Sequence, residues 1–291
     1  MVMHMSWDAL VSMIYRQLKR WASSRSRLAS AVIQPLLWLI FLGLGFGGVF
    51  NPENIDVGSI RIDTTAIRVP LNPKDLISGY FNKVFGGVDY VTFMVSGVVA
   101  MSAFIGSFIS GISVIWDKQF GFLKETMIAP APRRTVIMGR VIGDALVNTI
   151  QSLIIVTLAV MFTPHINLAG IPLALLYVFV MSIGFTSMGV AISLKFSSME
   201  GFQMIVNVLT MPLMFMSGVF YPVKSMPDWM QMISMINPLT YAVHATRYWL
   251  TGADVGFDYM SPALDLLILA AASLILAGVA IRLFEKSTLE D

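Results

Sequence analysis

Six apolar runs, each about as long as a bilayer is thick, constrain this chain more than any other feature. They cover 28–50, 92–115, 136–163, 170–194, 202–222 and 261–283. An α-helix rises about 1.5 Å per residue, so roughly twenty such residues cross the hydrocarbon of a membrane. The expected fold class is therefore an all-α polytopic membrane protein with six transmembrane helices, read as a single transmembrane domain over 1–291. Composition agrees: 56% of residues are hydrophobic and 12% charged, against about a quarter charged in a soluble domain. A net charge of +2 is too small to argue for a nucleic-acid partner. The chain has no cysteine, which excludes disulfides, thiolate metal sites and a thiol nucleophile. About 25 fairly polar residues precede the first run, so that run is expected to be a retained anchor and not a cleavable signal.

Charge placement sets the expected orientation. With the N-terminus inside, 13 Lys and Arg fall on the cytoplasmic side and 6 outside, so both termini should face the cytoplasm of a cell membrane. Within 5–22, Trp7, Leu10, Val11, Ile14, Leu18 and Trp21 recur at helical spacing with Arg16, Lys19 and Arg20 between them. That pattern predicts an amphipathic helix at the membrane interface. The outer loop 51–91 holds an Ile60-Arg61-Ile62 alternation, Pro70, Asn72-Pro73 and Gly86-Gly87, and reads as a small, partly extended cap.

Five features could carry function. Segment 116–134 mixes aromatics, both charge signs and a Pro-x-Pro stop. Phe120, Leu123 and Met127 share a face if it is helical, with Lys124 and Glu125 elsewhere, and Arg133 and Arg134 close it. It could dock a soluble partner or simply reverse the chain. Arg140 and Asp144 stand one turn apart on the third run. A charge inside a span is costly and usually paired, so they are expected to form an intramembrane ion pair, functional or structural. Ser102, Gly106 and Ser110, and one position along Ala103, Ser107 and Gly111, repeat at four-residue spacing, as does Gly43-x-x-x-Gly47; such rows permit close helix contact. Eight of the 21 Met lie between 204 and 235, which suits flexible apolar lining better than a copper site. Finally, 223–260 is too apolar for a free loop, yet neither half can cross. A re-entrant outer hairpin over 223–250, turning at Asn237-Pro238 after Pro227, fits, with Tyr241, His244 and Arg247 on its second half. Arg247 could hold lipid phosphate and gate an exit, or satisfy free carbonyls at the turn.

Met226-Pro227, ten residues, Pro238-Leu239-Thr240-Tyr241, five residues and Arg247 resemble the signature of type 2 ABC-transporter permeases, which include daunorubicin-resistance and nodulation-factor exporters. Ser217-Gly218-Val219-Phe220-Tyr221-Pro222 fits the same pattern. So does Gly121-Phe122-Leu123-Lys124-Glu125 with Ala129-Pro130 and Arg133. The outer loop is longer than the family pattern. The resemblance implies six spans, an N-terminal connecting helix and a re-entrant hairpin. It also implies a dimer with a second copy or a similar permease, seated on two ABC ATPase subunits that touch 116–134. The chain has no Gly-x-x-x-x-Gly-Lys-Ser/Thr loop, so ATP and Mg would be bound by those partners and this chain would carry no cofactor. Its substrate would be a drug, lipid or lipid-linked glycan. Two rival classes weaken on the residues. A membrane-embedded enzyme lacks a recognisable nucleophile or base, since His4, His165 and His244 form no ligand pair by spacing. An ion-coupled transporter or channel would need more buried ionisable groups than Asp144 and Asp265.

Overall fold

The computed structural model describes residues 7–48, 73–121, 132–161, 163 and 165–286. Among the described residues it is helical, without strands. We number the helices in chain order: α1 Trp7–Ala22, α2 Arg25–Trp38, α3 Pro73–Val84, α4 Tyr90–Ile109, α5 Ile112–Gln119, α6 Arg133–Ala159, α7 Ile171–Ser193, α8 Met199–Phe215, α9 Asp228–Ile236, α10 Pro238–Thr251 and α11 Pro262–Lys286.

Among the described residues, four runs are long and apolar enough to cross a membrane: Tyr90–Gln119 (α4 continued by α5), Arg133–Ala159, Leu168–Ser193 and Pro262–Lys286. The fifth expected span is shorter than its hydropathy suggested; the first is helical as far as Gly47, and 49–50 lie outside the described residues. After α2, Leu39–Leu44 winds as a π-helix and Gly45–Gly47 adds less than one further turn. The fifth, α8, is 17 residues long, about 25 Å by helical rise. Its hydropathy runs on to 222, but the backbone does not. Gly218 takes φ +82, a left-handed conformation that ends the helix cheaply in glycine, and Pro222 follows.

The expected outer loop is helical in part. Its second half is α3, a helix opened by Pro73, whose missing N–H costs nothing in a first turn. An aromatic ladder seats the end of α3 on α4: the Phe85 ring lies 5.2 Å from Phe93 and 5.3 Å from Tyr90. The Ile60-Arg61-Ile62 alternation lies outside the described residues.

α4 is the axis of the core. Asp89 caps it by accepting from the Thr92 amide at 3.1 Å, and Phe93, Met101, Phe104 and Phe108 are fully buried along it. Its Ala103, Ser107, Gly111 row packs against α7 so closely that a Cβ on Gly111 would lie 2.3 Å from the Gly189 carbonyl oxygen. α11 lies along α7, where Ser273 donates to the Val180 carbonyl at 2.8 Å. α1 packs across the start of α6 on a Gly139-x-x-x-Gly143 seam. A Cβ there would meet Met13 at 2.8 Å and Gln17 at 2.9 Å, so only glycine lets the two backbones approach this far. Leu10 and Gln17 face that seam, while Trp7, Val11 and Tyr15 are exposed.

Candidate functional site

Two clusters of polar side chains sit where otherwise apolar elements meet. The first gathers the ends of α1, α5 and α6. Arg140, buried, does not pair with Asp144. Its Nη1 lies 2.8 Å from Asp117 at the end of α5, and its Nη2 donates to Ser113 at 2.7 Å. Asp117, also buried, takes Arg16 of α1 on its other oxygen at 3.4 Å. Asp144 accepts from Gln17 at 3.4 Å. The expected pair is thus replaced by a three-helix node, Arg16–Asp117–Arg140. Spacing of i and i+4 permits a contact along one helix, but a carboxylate presented from a neighbouring helix aligns with the guanidinium and a serine at once, which satisfies more of its donors.

The described ends of the sequence-predicted docking segment, 116–121 and 132–134, adjoin this node. Leu123, Lys124 and Glu125 fall outside the described residues. Phe120 follows α5 and is 72% exposed. On the far side, Arg134 forms a two-pronged salt bridge to Glu285 at the end of α11, and Arg133 donates to the Glu285 carbonyl at 3.2 Å. The two arginines therefore fasten α6 to α11, a role their place beside a docking segment did not suggest.

The second cluster organises the hairpin. α9 and α10 meet at Asn237, whose side chain accepts from the Leu239 amide at 3.0 Å and donates to the Leu213 carbonyl at 2.7 Å. One residue thereby caps α10 and satisfies an orphan carbonyl near the end of α8. Pro227 precedes α9, and Pro238 opens α10 at a position where no N–H is needed. Tyr241 is buried and donates to the Met235 carbonyl at 2.7 Å, so it belongs to the hairpin's interior and not to a headgroup belt.

Arg247 is 2% exposed and so cannot reach lipid phosphate. Its Nε donates to Ser96 at 3.1 Å, its Nη2 lies 3.0 Å from the Gly218 and 3.3 Å from the Val219 carbonyl oxygen, and the guanidinium sits 3.7 Å above the Phe93 ring. The carbonyls it satisfies are those of the turn after α8, not those of the hairpin tip. Nearby, buried His244 faces Asp265 of α11 through Nδ1 at 2.6 Å and Asp254 through Nε2 at 3.0 Å. A ring carrying both N–H protons serves both carboxylates. Sequence spacing had left His244 and Asp265 unconnected. Asp117 and Asp254 went unnoticed because their partners lie on other helices.

A family model described as ABC-2 type transporter matches residues 8–251. The chain is 28% identical over 232 residues to ycf38 of Pyropia yezoensis, named as a transport permease, covering 79% of this chain and 69% of that protein. It is 27% identical over 181 residues to YbhR of Escherichia coli K12, whose name describes a probable multidrug ABC transporter permease, covering 61% and 48%. It is 23% identical over 169 residues to the inner membrane transport permease YadH of the same strain, covering 58% and 66%.

Proposed function

We propose that this chain, which belongs to the ABC-2 type transporter family, works as the membrane subunit of an ATP-driven exporter. The match over 8–251 carries this reading. Two copies, or one copy and a similar permease, would sit on two ABC ATPase subunits that bind ATP and Mg, because this sequence holds no phosphate-cradling loop of its own. The transported molecule would be hydrophobic or amphipathic, consistent with a Met-rich α8 on which Met204 and Met211 are exposed. α2 with its π-helical extension and α8 would complete six crossings as short spans. The α9–α10 hairpin would dip into the outer leaflet, where Trp229, Met232 and Ile236 are exposed, and would close the exit as a braced cap. Exposed Trp7, Val11 and Tyr15 suit α1 to the cytoplasmic interface.

Both termini are then cytoplasmic. Reporter fusions after Asp291 and within 60–85 are expected to report opposite sides of the membrane, and matching sides would sink the topology.

The ATPase would dock on 116–134, whose described first part carries exposed Phe120. The purified chain is expected to hydrolyse no ATP alone and to stimulate a co-expressed ATPase. Glu125→Arg is expected to cut the co-purified ATPase severalfold, because it reverses the charge offered to a basic partner surface. Unchanged co-purification together with unchanged stimulation counts against docking at this segment.

A further inference from the structure

His244 meets two carboxylates that belong to different elements. Its Nδ1 lies 2.6 Å from Asp265 in the first turn of α11, and its Nε2 lies 3.0 Å from Asp254 in the loop 252–261 that joins α10 to α11. The two acids have opposite surroundings. Asp265 is fully buried and, among the described residues, its second oxygen has no hydrogen-bond donor. The Asp254 side chain is 59% exposed, so solvent reaches it. The loop is packed down onto the helices. Ala253, Val255, Phe257 and Met260 are buried. A Cβ on Gly256 would fall 2.6 Å from the His244 ring, so only glycine lets the loop backbone lie over the imidazole. Further along, Val255 presses on the turn before α4, where a Cβ on Gly86 would come within 2.7 Å of it.

Two protons hold this arrangement together. One lies in the contact between Nδ1 and Asp265, and the contact to Asp254 needs the other on Nε2. When one is lost to solvent, a single donor faces two carboxylates. Asp265 keeps it, because an anion in a dry site is costly to leave without a donor, whereas Asp254 can turn to water. The neighbouring groups titrate elsewhere. Tyr177 of α7 donates to the Pro262 carbonyl at 2.6 Å, Tyr241 and Arg247 stand one turn either side of His244 on α10, and Tyr259 belongs to the loop. Asp258 of the loop pairs with Lys224 at 2.6 Å, and Asp228 of α9 is exposed. Tyrosine, lysine and arginine change charge near pH 10 or above and exposed aspartates near 4, which leaves the His244 set for the range between about 5 and 9. Burial pulls the ring's pKa down, but the hydrogen bonds and charges of Asp265 and Asp254 outweigh it and hold the pKa above the ordinary histidine value. We propose that His244 is a proton-dependent latch: carrying both protons it pins the loop 252–261 to the hairpin, and after losing one it releases Asp254 and slackens the loop. The latch is complete at low pH and is lost as the pH rises through the raised value. On the exporter reading, on which this last step rests, the loop faces the outside and an alkaline medium loosens the cap over the exit.

The chain has no cysteine, so a nitroxide attached through Asp258→Cys, at a side chain 96% exposed, reports on the loop alone. The labelled full chain is placed in phosphatidylcholine nanodiscs, whose headgroups do not titrate in the range, and spectra are recorded from about pH 5.5 to 9. The mobile fraction is expected to rise about fivefold across that range, the weight of one part-exposed ion pair. His165→Gln, which removes an exposed histidine outside the latch, is expected to show the same rise. Asp254→Ala, a change at an exposed side chain, is expected to be mobile already at the acid end and to rise no further. His244→Gln should likewise lose the pH dependence. If that variant does not fold, Asp254→Ala decides alone. A label equally mobile across the range, or a rise that survives Asp254→Ala, overturns the latch. The measurement needs neither ATPase nor substrate, so that result would retire the latch and leave the exporter reading standing.

Discussion

Arg247→Met is expected to lower the melting temperature of the purified chain by roughly 10 °C and to cut its membrane level in the same proportion. The substitution keeps an unbranched stem in the same space and removes the guanidinium alone. The Gly218 and Val219 carbonyls then lose their donor in a dry interior, at about 1–3 kcal/mol for each buried group left unmade. The stacking of the cation on Phe93 goes with them, worth about 2 kcal/mol when desolvated. Taken at the low end of each range, a total of about 4 kcal/mol corresponds to a shift of about 10 °C in a chain of this size. Arg247→Lys keeps the charge but not the fork that reaches Ser96 and the carbonyls together, so it is expected to recover less than half of the loss. Transport should fall with stability. A variant that folds at wild-type level yet fails to transport would contradict the structural role and restore a gating one.

Asp117→Asn is expected to do comparable damage from the other end of the molecule. Arg140 is buried and keeps its charge, so removing the carboxylate strands a cation in the interior, which costs about 3–5 kcal/mol. Arg16 is partly exposed and contributes little to that figure. The decisive comparison is Asp117→Leu/Arg140→Met. Replacing a whole buried pair with apolar side chains is often neutral, so the double variant should melt above Asp117→Asn. Loss of the same size in both variants would mean that Asp117 serves something other than Arg140.

Much of the fold was legible because hydropathy and helical period report directly on burial. α1, α4, α6, α7 and α11 follow from their patterns to within a few residues at most ends. The end of α8 did not, because Met216, Val219, Phe220 and Tyr221 continue the apolar signal through a turn that the backbone makes at Gly218. Burial and helicity part company there, and a window average reads burial alone. The ion-pair reading failed for a different reason. Local spacing nominated Asp144 for Arg140, whereas the real partner is 23 positions away and reaches it only after α5 and α6 pack. The small-residue rows on α4 illustrate the same limit. Both have the period of a contact face, and the Ala103 row is one; in the other, Ser102 and Ser110 border open space while Gly106 between them lies against Asn148 of α6. Period identifies a face without identifying what stands opposite. The twin arginines at the start of α6 were legible as cations and illegible as clasps on Glu285.

The separation between Arg247 and its partners has a bearing on biogenesis. Ser96 lies 151 positions before it and the Gly218 carbonyl 29 positions before it. A ribosome therefore releases every acceptor ahead of the cation that joins them. Domains emerging from synthesis fold from the N-terminus onward, so α4 and the turn after α8 can be waiting when α10 leaves the tunnel. Until that moment the turn's carbonyls must be answered by water or by the insertion machinery. The arrival of one side chain then closes the turn's hydrogen bonds, and α11 follows to bring Asp265 to His244.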